Sequence, residues 1–339
     1  MIINFFLDNR SGGPHIYSKY LQKHLKKYKF KNITCGQSNE SKIQISNLRA
    51  ISKFLFPIEI LMNIAEIILM KEKLKQSDIF FSYTIYNIAP IISGAILNKK
   101  IYWFILENPT LAACCIFKIL NFFFKINTVL ISKEIAKKIK LKKFQIYIPK
   151  VDSNFWNRKT KIKKKTKRII LTCVGNINKI KNYSQLIDFI KLDRRYFILN
   201  IVGKSLLTQR KYNLEIIKKA KKINKLGKSK IILHGSKKKE HIKKILLNTD
   251  AFVLPSISEG LSIALMEAMS TRCFCIVSRS SNISNIIRDK KNGLIFDTNY
   301  LSFKKCLDKF AKYNKQKNTI GEQARATILG INSKFTINF

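Results

Sequence analysis

Short apolar runs of strand length alternate with longer stretches of helical spacing along most of the chain. Ile2–Phe6, Asp78–Tyr83, Ile101–Leu106, Thr128–Ser132 and Gln145–Ile148 read as strands. Between them, helical patterns run from the Gly12-Gly13 turn to about Lys27, then over Ile58–Gln76, Ala89–Leu97, Leu111–Phe124 and Lys133–Leu141. The alternation stops at Pro149–Arg168, where residues 158–168, RKTKIKKKTKR, carry eight bases in eleven positions with almost no apolar content. Such a run reads as a solvated linker, with a membrane-facing stretch as the other reading. The alternation then restarts: strands at Arg168–Val174, Phe197–Val202, Ile231–His234 and Ala251–Leu254, helices at Lys181–Leu192, Asn213–Leu226 and His241–Asn248. Phe303–Tyr313 and Gly321–Leu329 read as closing helices. Strand-helix alternation predicts a parallel sheet covered by helices on both faces, and its restart predicts two doubly wound α/β domains. The expected division is 1–152, a basic linker over 153–168, and 169–339. No internal repeat is evident.

Composition narrows the class. With 339 residues, 46% of them apolar and 11% aromatic, the chain can bury two cores and is not a disordered polyelectrolyte. Its seven cysteines form no CxxC pair and no zinc spacing, which reads as reduced, buried thiols in a cytoplasmic protein. MIINFF lacks a basic lead and meets Asp8-Asn9-Arg10, so it reads as a first strand and not as a signal peptide. No stretch reaches the roughly 20 uninterrupted apolar residues of a membrane span. The formal net charge of +45 attracts polyanions, although part of it accompanies a general enrichment in Lys, Ile, Asn and Phe. An anionic membrane surface is the favoured partner, worth about 1 kcal/mol for each basic residue close to it. A nucleic acid is not expected, because no zinc finger, RRM signature or aromatic-interleaved basic stripe is present.

The chemistry is concentrated in Pro255–Asp297, PSISEGLSIALMEAMSTRCFCIVSRSSNISNIIRDKKNGLIFD. Glu259 follows a Pro-Ser turn and precedes Gly260, while Glu267 lies eight positions on, inside a helical pattern. A short strand, FCIV, follows, then a turn-helix-turn closing on Asn292-Gly293, where Gly293 is expected to supply a positive φ. A glycine lets the backbone approach a ligand, and a helix start presents free N–H groups to an anion. A carboxylate two turns into that helix is placed to take the hydroxyls of a ribose.

This segment resembles the E-x7-E signature of the retaining glycosyltransferases of family 4, also called glycosyl transferases group 1. The resemblance implies the GT-B fold, in which two Rossmann-like domains face each other across a cleft. It implies that Glu267 binds the ribose, that Glu259 meets a hydroxyl of the donor sugar, and that Gly260, Leu261 and Ser262 offer backbone N–H groups to the sugar and the β-phosphate. VGNINKIKN at Val174–Asn182 resembles the VGR-x4-KG turn whose arginine and lysine clasp the diphosphate. Lys181 stands in register with that lysine. Asn176 stands at the arginine position, a loss of charge and of a bidentate fork that Lys179 is placed to offset. Gly12 and Gly13 resemble the glycine turn that approaches the diphosphate from the first domain. Glu107, after Ile101–Leu106, is a candidate for contact with sugar or acceptor; its alternative is a strand-end carboxylate capping the next helix. Pro149-Lys150-Val151-Asp152 resembles the hinge that ends the first domain, and in similar proteins the last helix crosses back to that domain.

The implied activity is retaining transfer of a hexose from a UDP- or GDP-linked sugar to a glycan or lipid-linked acceptor, in polysaccharide or lipopolysaccharide biosynthesis at the cytoplasmic face of a membrane. No metal site is read, and no cofactor beyond the nucleotide-sugar substrate. Asn176 keeps open a non-catalytic partner of the same fold in a glycan-assembly complex. Charge alone leaves a basic nucleic-acid binder as a third class. A dehydrogenase is not supported, because neither Val174-Gly175-Asn176 nor Val202-Gly203-Lys204 continues into GxGxxG.

Overall fold

The computed structural model describes residues 2–8, 13–25, 28–35, 43–45, 56–74, 76–157, 168–281, 283, 286–313 and 316–333. Residues 158–167 of the expected basic linker (153–168) and Gly12 lie outside the described residues. The chain divides into a first unit over Met1–Lys150 and a second over Val151–Lys334.

The first unit is built on β1 (Ile2–Asp8), β2 (Lys29–Cys35), β3 (Ile43–Ile45), β4 (Ile79–Tyr83), β5 (Lys100–Ile105), β6 (Ile126–Leu130) and β7 (Gln145–Ile146). All pair in parallel, in the order β3-β2-β1-β4-β5-β6-β7. Its helices are α1 (Gly13–His24), α2 (Phe56–Leu69), α3 (Lys71–Leu74), α4 (Ala89–Ile96), α5 (Leu111–Phe123) and α6 (Lys133–Ile139). Successive strand residues point to opposite faces, and here both faces are apolar, so each needs a helical cover. Phe5, Phe81, Tyr83 and Phe104 pack together on one face, with Tyr83 stacked on Phe5 and Phe104, and Tyr17 of α1 meets Tyr83 and Phe104 edge-on. Phe6, Ile33 and Phe80 gather on the other with Ile67 of α2, Leu74 and Ala89, and Trp103 meets Phe117 of α5.

The second unit repeats the scheme with β8 (Ile169–Val174), β9 (Phe197–Val202), β10 (Lys230–Gly235), β11 (Ala251–Leu254), β12 (Phe274–Ser278) and β13 (Leu294–Phe296). The sheet is again parallel, ordered β10-β9-β8-β11-β12-β13. The helices are α7 (Tyr183–Leu192), α8 (Arg210–Lys225), α9 (Lys239–Leu247), α10 (Ile263–Ser270), α11 (Tyr300–Lys312) and α12 (Gln316–Ser333). α12 packs on α10 and β12 of its own unit. Val151–Asn157, expected to end the first domain and open the linker, is bonded into the second unit. Asn332 holds both backbone groups of Val151 (3.2 and 2.8 Å), and Arg272 holds the Asn157 side chain (2.6 Å).

The two units share a brace that the sequence hides. An Asp just before the fourth strand, Asp78 or Asp250, accepts the N–H of Ile2 or Ile170 near the start of the first strand (3.1 and 2.8 Å). The preceding Ser77 or Thr249 bonds Asn4 or Thr172, two positions further along that strand (2.8 and 2.6 Å). Each brace locks the strand pair at which sheet order reverses, β1/β4 or β8/β11. At such a reversal, crossover helices leave to opposite faces and open a crevice beyond the carboxyl ends of the strands.

Candidate functional site

The loops leaving β8 and β11 both open at that reversal in the second unit. β8 ends at Val174, and Gly175 adopts φ +153°, where a side chain would be strained. A Cβ there would also lie 3.0 Å from Cε of Lys181 and 3.1 Å from the Tyr183 hydroxyl. Tyr183 donates to the Gly175 carbonyl (3.0 Å). Burial pushes the Tyr183 pKa well above its ordinary value, and Cys173, Glu259 and Tyr212 push the same way, so the hydroxyl keeps the proton it donates. Asn178 caps a 3-10 turn over Lys179–Lys181 by accepting the N–H of Lys181 (3.0 Å). Asn182 then takes a left-handed conformation (φ 54°). That residue breaks the turn from α7, so the helix begins at Tyr183 and not at Lys181 as the sequence pattern predicts.

From β11 the chain passes Pro255 and Ser256 to Glu259. Ile257 N–H bonds the carbonyl of Ile180 (2.9 Å), which stitches this loop to the lysine turn. Glu259 N–H bonds the carbonyl of Ser281 (3.2 Å), and Ser280 Oγ reaches the carbonyl of Ser256 (3.2 Å), so the Ser-rich turn after β12 braces the loop from its other side. Ser262 caps α10 by accepting the N–H of Leu265 (3.3 Å).

Together these loops bring Lys181 Nζ to 2.6 Å from Oε1 of Glu259, a pair with side chains only 17% and 10% exposed. Glu267 lies one turn into α10 and is 7% exposed. Gly260 and Leu261 are half-buried on the approach to the helix, Asn176 is half-buried in the lysine loop, and Lys179 is exposed at the first position of the 3-10 turn. Carboxylate, ammonium and a capped helix start thus converge from segments 78 residues apart. Arg325 of α12 secures the far end of α10, donating to the carbonyls of Ser270 (2.7 Å) and Ser153 (3.0 Å).

Residues 154–327, just over half of the chain, match the profile described as "Glycosyl transferases group 1". The chain belongs to this family. The glycosyltransferase has the GT-B fold, as its likeness to solved structures shows. It superposes on the Anabaena protein Alr3699/HepE in complex with UDP with a TM-score of 0.78, at 12% identity over 98% of each chain. A sucrose-phosphate synthase from Thermosynechococcus elongatus gives a TM-score of 0.80 at 12% identity, covering 98% of this chain and 95% of that one. A glycosyltransferase from Rickettsia africae ESF-5 gives 0.75 at 16%, covering 97% and 93%. In sequence, 72 residues are 35% identical to the Escherichia coli UDP-Gal:alpha-D-GlcNAc-diphosphoundecaprenol alpha-1,3-galactosyltransferase. That match takes in 21% of this chain and 18% of the relative, so it spans less than a fifth of that protein.

Other expected residues of the group 1 transferase lie outside these two loops. Glu107 lies in the first unit, where Oε1 accepts the N–H of Ile85 (2.7 Å) and Oε2 the N–H of Leu106 (3.2 Å). It therefore ties the loops after β4 and β5 together. The alternative reading of Glu107 as the cap of α5 does not hold, because that cap is Thr110, which accepts from Ala113 (3.3 Å). Gly13 is the first residue of α1. Gly293 does not take positive φ; Lys290 does (φ 61°). Gly293 is instead required for space, since a Cβ would stand 2.8 Å from the carbonyl oxygen of Cys275.

Gly203 was not singled out by the sequence pattern, yet it has the tightest surroundings of the described glycines. A Cβ there would lie 1.9 Å from the Gly175 carbonyl oxygen. The signal was present as a Val-Gly pair closing two successive strands, Val174-Gly175 and Val202-Gly203. Among the described residues no three His, Cys, Asp or Glu side chains cluster as metal ligands.

Proposed function

We propose that this protein is a retaining, metal-independent glycosyltransferase that moves a hexose from a UDP- or GDP-linked sugar to a glycan or lipid-linked acceptor. The observation that carries the reading is the Lys181–Glu259 pair at the mouth of α10, with Glu267 one turn inside that helix. Lys181, with Lys179 beside it, neutralises the diphosphate. Backbone N–H groups of Gly260, Leu261 and Ser262 receive its oxygens and the donor sugar, where charge grows as the bond to the sugar breaks. Glu267 holds the ribose hydroxyls, and Glu259, released from Lys181 as the diphosphate arrives, holds a sugar hydroxyl.

The C1–oxygen bond breaks with its electron pair leaving on the β-phosphate. The acceptor oxygen attacks C1 from the same face, and its proton passes to the departing phosphate oxygen, which gives retention without a protein base at that position. The UDP complex of the Anabaena structure supports a nucleotide-sugar donor. The name of the Escherichia coli relative, a galactosyltransferase acting on a diphosphoundecaprenol, supports a lipid-linked acceptor. The proposed setting is surface polysaccharide or lipopolysaccharide synthesis at the cytoplasmic face of a membrane.

Thermal-shift measurement against UDP-, GDP-, ADP- and CMP-sugars tests the donor site. A UDP- or GDP-sugar is expected to raise the melting temperature, and Glu267→Ala to abolish the rise. No response to any nucleotide would sink the reading. Turnover unchanged by EDTA is the expected sign of metal independence. Asn176, in place of the arginine of the motif, favours one second reading: a donor-binding partner that does not transfer. Tight nucleotide binding without sugar transfer to any lipid-linked acceptor would select it.

A further inference from the structure

We propose that the outward faces of α2 and α5 dock the first unit on an anionic lipid bilayer, with Phe122 and Phe123 inserted below the headgroups. α5 buries Ala113, Cys114 and Phe117 against its own unit. Its opposite side is apolar as well: Leu111 is 80% exposed, Phe122 83% and Phe123 71%, with Ile116 and Ile119 exposed between them. α2 repeats the arrangement, with Ile67 buried while Leu61, Met62 and Leu69 are exposed. Soluble surfaces scatter such residues singly, whereas rows of them on one face mark a binding surface.

The two rows lie on the same side of the sheet. α2 connects β3 to β4 and α5 connects β5 to β6, both stepping from β3 toward β7 in the strand order. Right-handed crossovers that step in one direction leave their helices on one face. α4, which steps the same way, packs on α2 and exposes Ile96.

Charge selects the occupant. Residues 111–146 contain eight lysines against one acid, Glu134. Lys118 within α5 and Lys125 just beyond its end, both exposed, flank the aromatic pair. Long lysine stems lie along apolar surface and carry their ammonium groups to the interface, where anionic lipid attracts them. A second copy of the chain would bring the same lysines together within molecules of formal charge +45, so self-association is opposed. α5 has 13 residues, about 20 Å of helix, which suits lying in the interface plane. Among the described residues no helix is long and apolar enough to cross a membrane.

This docking deepens the membrane side of the proposed function, yet it requires no transfer. Flotation of the full chain with phosphatidylglycerol vesicles and with phosphatidylcholine vesicles tests it. Strong partition onto the first and little onto the second is expected. F122S/F123S should weaken the partition about tenfold or more, since two aromatic side chains no longer enter the apolar layer. K118E/K125E should weaken it in a salt-dependent way. Both variants are expected to keep the wild-type melting temperature and its response to UDP. That response is read separately, so failure of docking and failure of the donor site are distinguishable. The proposal is overturned if wild-type protein ignores phosphatidylglycerol, binds both vesicles equally, or partitions as before after F122S/F123S. It is also overturned if sedimentation without lipid shows a dimer that F122S/F123S dissolves, because the patch would then belong to a second copy.

Discussion

Gly203→Ala should dismantle the lysine turn without replacing a single residue expected to meet the donor. The added methyl would lie 1.9 Å from the carbonyl oxygen of Gly175 and 2.5 Å from its carbonyl carbon. Carbon and oxygen rest at roughly 3.3 Å or more, so the Gly175 peptide has to move by over about 1 Å. Two hydrogen bonds oppose that movement: Gly175 N–H to Val202 (2.9 Å) and Tyr183 to the Gly175 carbonyl (3.0 Å). Overpacking of this kind costs about 1–3 kcal/mol, and a strained or broken buried hydrogen bond adds about 1 kcal/mol. The expected destabilisation is therefore about 2–4 kcal/mol. Gly175 also stands over the Lys181 side chain, so the same shift moves the ammonium group. A displacement near 1 Å can cost up to about 100-fold in a positioned reaction. Urea unfolding followed through Trp156, buried in the second unit, measures the first effect, and the UDP-induced melting shift measures the second. Gly330→Ala is the control: an added Cβ there would meet nothing within 4 Å outside its own helix, the residue lies inside α12, and the change should be neutral or stabilising by up to about 1 kcal/mol. If Gly203→Ala unfolds at the wild-type midpoint and responds fully to UDP, the packing argument is wrong.

Lys181→Met is expected to abolish the UDP-induced melting shift and to lower transfer at least about 100-fold, whereas Glu259→Gln should keep the response to UDP alone and lose transfer. Equal behaviour of the two variants in both assays would refute the division of roles. Arg325→Met should destabilise the second unit by about 2–4 kcal/mol in chemical denaturation, since two carbonyls lose a charged donor. For Asp193, burial raises the carboxyl pKa, but hydrogen bonds and charge from Arg195, with Lys304 beyond, outweigh burial and hold it below 3.8. A depressed folded pKa contributes stability that is present above the ordinary value and lost as pH falls through the folded one. Melting temperature against pH should accordingly fall less steeply below about pH 4 in Asp193→Asn than in wild type; identical slopes would contradict this.

Much of the fold was legible because buried parallel strands are continuous apolar runs with polar ends. Phe197–Val202 and Ala251–Leu254 have the limits their patterns predict. β2, KFKNITC, was missed because its lysines, Asn and Thr interrupt the run, and the three-residue β3 and β13 are too short for any period. The shared brace is not legible in the sequence, since only a Ser-Asp or Thr-Asp pair before an apolar strand marks it in each unit. At the site, no spacing rule pairs Lys181 with Glu259; resemblance placed both residues in one motif set, and the β8/β11 reversal supplies the reason they meet. What a sequence pattern cannot carry is crowding. The need for glycine at 203 and 293 comes from backbone of a neighbouring segment, and Glu107 is tied to the N–H of Ile85 in a loop 22 residues earlier.

The clamp on α10 also sets an order of assembly. Arg325 follows Ser270 by 55 residues, so a ribosome adds it roughly 3–11 s later at ordinary elongation rates. The two segments emerge from the ribosome with the same separation, so for that interval the end of the helix opposite its capped start is untethered. A nascent chain therefore completes the support of this helix late, when α12 arrives, and a pause in translation between these two points would prolong exposure of the half-built sheet to chaperones and proteases.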